Sequence, residues 1–427
     1  MSGKILLSNL SNNYEFNNII NNVNNNNNVN NNNNVSEPNI LKLNKILCKS
    51  ENNKEYNLVR YDKNFLCVDL IQAYGIFKSV ILNGDNNRVI CVAPPKSISG
   101  DKFMTDNSVI TDNIIAEEFI EGTMVNVFWD NRIGLSGGWE IATRNNIGAT
   151  CGFYKHANSK TFRTMFLEAV RENNLCLEQM NPNYCYSFVL QHPENRIVVP
   201  FKRPQLYLVE VFYIDDTDVN NIRVYQCDID EVKKDKWDTT QVRFPKRYTF
   251  NNYDELIREY ASMNTPYDTV GVVIKNRTNG TRTRFYNPVY EQVKGLRGQQ
   301  PKLQYRYLCL RKEGEVKNYL KFYSEHKADF SQFRDQIHNF TNTLFSNYVS
   351  CYIKKDKPLI EFSEQYRTHM FNIHQIFLNE LREKKQFITN TKVIEYVNNL
   401  HPSLLMYCLN FNMRKRNIDT SIADRNV

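Results

Sequence analysis

The chain has 427 residues, of which 41% are hydrophobic, 12% aromatic and 23% charged, a composition able to bury the cores of two ordinary domains. No apolar run reaches the roughly 18 to 20 residues that span a bilayer, and the apolar patch after Met1-Ser2-Gly3-Lys4 is too short for a secretory leader; neither a membrane protein nor a secreted one is expected. The net charge of +8 favours a polyanionic partner such as RNA. Ten scattered cysteines, with no Cys-x-x-Cys pair and no zinc spacing, predict reduced thiols in the cytoplasm or another reducing compartment.

Residues 1–38 are expected to form a disordered Asn-rich tract, because 17–34 are almost pure asparagine with sparse Val and Ile and offer nothing to bury. Asparagine codons are AT-rich, so genome composition alone accounts for such a tract. Ser36-Glu37-Pro38 closes it, and folded sequence is expected from near Ile40. Over 39–300, short β-rich runs alternate with a few helical patterns, which predicts an α+β domain. From 301 to 413 the period becomes helical, as in Phe330, Phe333, Ile337, Phe340 and Leu344, and predicts an all-α C-terminal domain. A polar tail occupies 414–427.

Four runs in the first domain carry chemistry. Glu118 to Asp130 alternates apolar and polar residues around Gly122; Tyr184 to Pro200 reads as a strand, a Pro193-Glu194-Asn195 turn and a second strand. Thr269 to Lys275 and Arg282 to Tyr286 flank Thr278-Asn279-Gly280, and Asn-Gly between strands signals a hairpin that brings Lys275 and Arg284 to neighbouring strands.

These segments resemble the bacteriophage-type ATP-dependent RNA ligases, within the covalent nucleotidyltransferase superfamily. The resemblance runs from about Tyr61 to about Leu409. It rests on Phe77-Lys78-Ser79-Val80-Ile81, Ala93-Pro94-Pro95-Lys96-Ser97, Glu118-Phe119-Ile120-Glu121-Gly122, Trp139 to Asn145, His192 to Val199 and Gly280 to Tyr290, in that order. It implies a nucleotidyltransferase domain of ATP-grasp-like antiparallel sheets, followed by a helical domain that helps choose RNA.

In that family a lysine attacks the α-phosphate of ATP to form a lysyl-AMP phosphoramidate, two strand glutamates serve the metal or nucleotide, and two further lysines neutralise phosphate. The corresponding positions here are Phe119 for the nucleophile, Val189 and Val270 for the acids, and Arg284 and Tyr286 for the lysines. No lysine lies between Lys102 and Lys155. Phenylalanine and valine carry no group that attacks phosphorus or holds Mg²⁺. The resemblance therefore implies a degenerate, catalytically inactive member, with ATP and Mg²⁺ as cofactors only if ligase activity persists.

Glu121, Arg144, Arg196, Lys275 and Arg284 remain as candidates for nucleotide or phosphate binding. Four of them have a plainer alternative, as does Asn195 beside them: Arg144 and Arg196 pair with Glu140, Glu194 or Glu121, Glu121 is a relic, Lys275 is a solvated strand end, and Asn195 is a turn residue. Lys155-His156 lacks partners at a recognisable catalytic spacing, and the sequon Asn276-Arg277-Thr278 reads as chance.

The helical region carries Lys317, Lys321, Lys327, Arg334, Lys354, Lys355, Arg367, Lys384 and Lys385 among acids, either an RNA- or protein-binding surface or the solvated face of a bundle. Three readings follow: an inactive binder of RNA or nucleotide, an active ligase or capping-type transferase using another lysine such as Lys96 or Lys102, and an interaction protein, packaged in a particle or complex, that reuses the fold.

Overall fold

Fourteen strands lie among the described residues, which are 3–21, 42–153 and 159–414 of a computed structural model. The first seven are β1 (Lys4–Asn9), β2 (Leu43–Lys49), β3 (Glu55–Tyr61), β4 (Val80–Asn83), β5 (Val89–Val92), β6 (Ile114–Glu118) and β7 (Thr123–Asp130). The others are β8 (Gly138–Ala142), β9 (Tyr184–Gln191), β10 (Gln205–Asp215), β11 (Arg223–Cys227), β12 (Arg247–Tyr248), β13 (Gly271–Asn276) and β14 (Arg282–Tyr286). They form a six-stranded sheet, β1-β11-β10-β9-β7-β8, and two four-stranded sheets, β12-β6-β13-β14 and β2-β3-β4-β5. Every ladder between these strands is antiparallel.

One face of the six-stranded sheet packs on the β2-β3-β4-β5 sheet through Tyr56, Leu58, Phe77, Val80, Val92, Phe128 and Phe212. The other face presents Val127, Phe188 and Leu208 to Phe166 of the helix Phe162–Glu172 and to Trp237; in β10 a register shift between Leu208 and Glu210 puts Leu208 on the face opposite to Phe212. The β12-β6-β13-β14 sheet buries Ala116, Val272 and Ile274 against Phe103 and Leu256, which lie on the helices Gly100–Asp106 and Tyr253–Tyr260.

The start of the chain differs from expectation. Residues 4–21 belong to this fold: β1 pairs with β11 from Lys4↔Cys227 to Asn9↔Arg223, and Leu10 and Phe16 are fully buried. The Phe16 ring lies 5.1 Å from that of Phe77. Lys4-Ile5-Leu6-Leu7 thus acts as a strand whose partner is more than 200 residues away, a relation invisible in the local pattern.

The chain divides into units Met1–Gln292 and Val293–Val427, earlier than the boundary expected near residue 300. The shift has a local cause: the Tyr323 hydroxyl donates to Val293 O at 3.2 Å, tying the last turns of the helix Pro288–Arg297 to the helical unit. In that unit the long helix Lys327–Tyr348 buries Phe330, Ile337, Phe340 and Leu344, the positions its 3.6-residue period selects. Lys317, Lys321, Lys327, Arg334, Lys354, Lys355, Lys384 and Lys385 are exposed. No helix among the described residues is long and apolar enough to cross a membrane.

Candidate functional site

The site forms where the β12-β6-β13-β14 sheet meets the six-stranded sheet. Strand pairing aligns Val273↔Arg284 and Lys275↔Arg282, so Arg282, Arg284 and Tyr286 share one face of the hairpin, while Val272, Ile274 and Phe285 turn to the core. The expected Asn279-Gly280 turn closes this hairpin, with Gly280 at φ +71°. Beside it the chain leaves β6 at Phe119, whose N–H lies 3.4 Å from Gly271 O.

Phe119 is half-buried, and its ring stands 5.0 Å from the ring of Tyr286. The Arg284 guanidinium lies 5.1 Å from the Tyr286 centroid and 5.9 Å from that of Phe119. Position 119 therefore presents an aromatic surface with a cation on it. Val189 is buried at the floor, between Met124 of β7 and Tyr207 of β10 in the ladder, and packs with Ile120. Val270 is buried as well. Among the described residues no group of three or more His, Cys, Asp or Glu is placed to hold a metal. The aliphatic floor at Val189 and Val270 does not fit Mg²⁺, which takes oxygen ligands.

Glu121 is buried and faces the turn after β9. Its carboxylate accepts the N–H groups of Val198, at 2.9 Å, and Val199, at 3.1 and 3.2 Å. Burial raises its carboxyl above the ordinary carboxylate range, against the lowering effect of those amides and the Tyr290 hydroxyl. Glu121 thus fixes a turn. Gly122 follows at φ +149°, where a Cβ would stand 2.4 Å from Leu190 O; only glycine lets β7 start so close to β9. The neighbouring Asn195 side chain donates to Thr123 Oγ1 at 2.8 Å, a turn role, and Arg196 Nε donates to Val198 O at 2.9 Å.

Lys275 is neither a solvated strand end nor open to an anion. Its amine bridges Glu117 at 2.8 Å and Glu210 at 2.9 Å, and Arg282 reaches Glu210 at 3.5 Å. Burial opposes the charge on Lys275, yet Glu117 and Glu210 outweigh it and hold the amine above its ordinary value. Lys275 and Arg282 hold Glu210 below the carboxylate range in spite of complete burial. This network joins the two sheets.

Arg144 has none of the carboxylate partners considered for it. Glu140 is taken by Arg163 at 2.7 Å, Glu194 by Lys160 at 2.7 Å, and Glu121 by backbone amides. Its guanidinium lies 5.7 Å from the Tyr61 ring, and its buried Nε has no hydrogen-bond partner among the described residues.

The residue that pattern reading passed over is Lys78, half-buried beside fully buried Phe77 and Ser79. Burial, then Arg282, Arg284, Arg144 and Lys96, push its amine down to about 7. The available signal was a lysine inside the apolar run Ile76-Phe77-Lys78-Ser79-Val80. Exposed Lys96 joins the same cluster, and burial, Arg284, Arg144 and Lys63 lower its amine. The structure thus gathers Arg144, Arg284, Lys78 and Lys96 and leaves Lys275 and Glu121 in structural roles. Lys155 and His156 lie outside the described residues.

No family model matches the chain. Over 105 residues it is 31% identical to "RNA ligase" of Rhodothermus phage RM378, a match spanning 23% of this chain and 23% of that protein. Two forms of an archaeal ATP-dependent RNA ligase give TM-scores of 0.35 and 0.33, at 12% and 10% identity. They cover 68% and 87% of this chain and 67% and 74% of their own. At these scores nothing about the site follows from the structural likeness.

Proposed function

We propose that this chain is an RNA-ligase-like protein that has lost covalent nucleotidyl transfer and binds RNA or nucleotide phosphate non-covalently. The carrying observation is the aromatic pair Phe119 and Tyr286 under Arg284, at the positions where the family resemblance expects the nucleophile and a phosphate lysine. An aromatic ring offers a nucleobase a stacking face and offers phosphorus no lone pair for attack. Arg284 and Arg144 keep a permanent charge and a forked donor geometry suited to phosphate. The local 31% identity to a phage RNA ligase supports RNA as the polyanion.

Fluorescence anisotropy of a labelled single-stranded RNA, titrated over a range of salt, tests this reading. Binding that weakens steeply with salt, and weakens further in Arg284→Ala, is expected. Salt-independent or absent binding sinks it, and would favour a protein that reuses the fold as a scaffold.

A second reading has one observation behind it. Lys78 carries an amine lowered to about 7 beside Arg144 and Arg284, the state a nucleophilic lysine needs. The aliphatic residues Val189 and Val270 on the metal side weigh against transfer through it. A covalent nucleotide adduct that disappears in Lys78→Met would establish this alternative.

A further inference from the structure

All ten cysteines are free thiols, and two of them, from different sheets, meet in the core between the β2-β3-β4-β5 sheet and the six-stranded sheet. Cys91 of β5 is fully buried, and Cys185 of β9 is 3% exposed. Their sulfurs converge on one backbone oxygen: Sγ of Cys91 lies 3.8 Å and Sγ of Cys185 3.9 Å from Val92 O. The two thiols are also hydrogen-bonded to each other. Cα atoms of β5 and β9 come within 8 Å, closer than the roughly 10 Å between ordinary face-packed sheets. Thiols already in contact need little further movement to reach the Cα spacing of a disulfide, about 4.4–6.8 Å.

The surroundings distinguish the two sulfurs. Cys185 lines a cleft of about 540 Å³ at the start of β9 and the end of β10, with Asp130, Asn183, Tyr184 and Tyr213, and Cys91 does not. A small neutral oxidant therefore reaches Cys185 first. Burial opposes a thiolate there, but the Cys91 thiol and the N–H groups of Val92, Cys185 and Phe212 outweigh it and hold the group below its ordinary value. Burial, and then Cys185, push the Cys91 thiol well above its own. The thiolate is the attacking form, so access and charge select the same residue. Strand β5 is the outermost of its sheet, and its one ladder among the described residues is with β4. A bond from Cys91 to β9 would fasten that edge to the six-stranded sheet and close a long loop of chain, which constrains the unfolded state.

We propose that Cys91 and Cys185 are a reversible modification site, at which hydrogen peroxide converts the pair into a disulfide between β5 and β9. The Cys185 thiolate attacks one peroxide oxygen: an S–O bond forms, the O–O bond breaks, and the departing hydroxide takes a proton and leaves as water. The Cys91 sulfur, giving up its proton, then attacks the Cys185 sulfur of the sulfenic acid; the S–S bond forms, the S–O bond breaks, and a second water departs. The two thiols lose two electrons, and one peroxide is reduced to two waters. The site is independent of the phosphate-binding reading and stands if that reading fails.

The full chain is treated at neutral pH with a small molar excess of hydrogen peroxide, unfolded in N-ethylmaleimide and digested with trypsin. The expected product joins peptide 89–96, whose one cysteine is Cys91, to peptide 172–196 through Cys185 and not through Cys176, and it disappears with dithiothreitol. The oxidised chain should melt about 5–10 °C above the reduced one. In Cys91→Ser the sulfenic acid on Cys185 has no partner and is trapped by dimedone. Oxidation of the exposed Cys67 and Cys176 in the same digest shows that the oxidant acted.

Absence of the joined peptide in folded wild type, with Cys67 or Cys176 oxidised, overturns the proposal, as does a link made through Cys176. A link that forms only above the melting temperature overturns it too, because the native pair then plays no part. These outcomes are read on the wild type and hold even where Cys91→Ser fails to fold.

Discussion

The Phe119 ring lies 5.0 Å from the Tyr286 ring, so the first residue after β6 and the last residue of β14 close over each other. Placing a lysine at 119 would set an ammonium beside Arg284 on a surface built for a ring. Phe119→Lys is expected to cost about 1–3 kcal/mol in denaturant unfolding. It is expected to gain no covalent nucleotide, because Val189 and Val270 still supply no carboxylate. Intact-mass measurement after incubation with ATP and Mg²⁺ checks the second half.

Arg284 is exposed and holds no ion pair among the described residues, so its charge is available to phosphate. Arg284→Ala should weaken RNA binding and reduce the slope of log affinity against log salt by about 0.7, the single-strand value for one phosphate contact. Thermal stability should stay near that of the wild type.

Lys275 behaves in the opposite way. Removing its amine leaves Glu117 and Glu210 facing each other in a buried network, and Lys275→Ala should lose about 3–5 kcal/mol of stability. The folded remainder should bind RNA as before. Acid acts on the same network: Glu210 sits below its unfolded value of 4.5, so its contribution is complete above that pH and disappears as pH falls through the lower folded value. Unfolding curves at pH 7, 5 and 4 measure this loss.

Lys78 has the reverse sign. Its folded value of about 7 lies below the unfolded 10.5, so the unfolded chain binds more protons between these limits and stability rises with pH across that window. Below pH 7 the amine is charged in both states and the burial cost is fully present. Lys78→Met should be more stable than the wild type at pH 7, and the difference should shrink toward pH 10.

Phe16 anchors the chain's first helix against Phe77. Phe16→Ala should destabilise by about 3–5 kcal/mol, a cost no disordered segment would show.

What the sequence disclosed and concealed follows one division. Strands β7, β9, β13 and β14 were readable because alternation and the Asn279-Gly280 turn are local signals. Strand β1 was not, since Lys4-Ile5-Leu6-Leu7 gains its meaning only from pairing with β11. The aromatic and aliphatic residues at 119, 189 and 270 were located by motif order. The fates of the charged candidates were decided by distant partners: Arg163 takes Glu140 from Arg144, and Glu117 and Glu210 enclose Lys275. Lys78 owes its lowered amine to burial and to cations from three separate segments, none of which is visible from its neighbours in sequence.

Incubation of the purified chain with [α-³²P]ATP, and separately GTP, with Mg²⁺ or Mn²⁺, followed by denaturing electrophoresis beside an active ligase, tests the central claim most directly. No radioactive band at the position of the chain is the expected result. A labelled, acid-labile band would contradict the account, and its loss in Lys78→Met would identify the amine responsible.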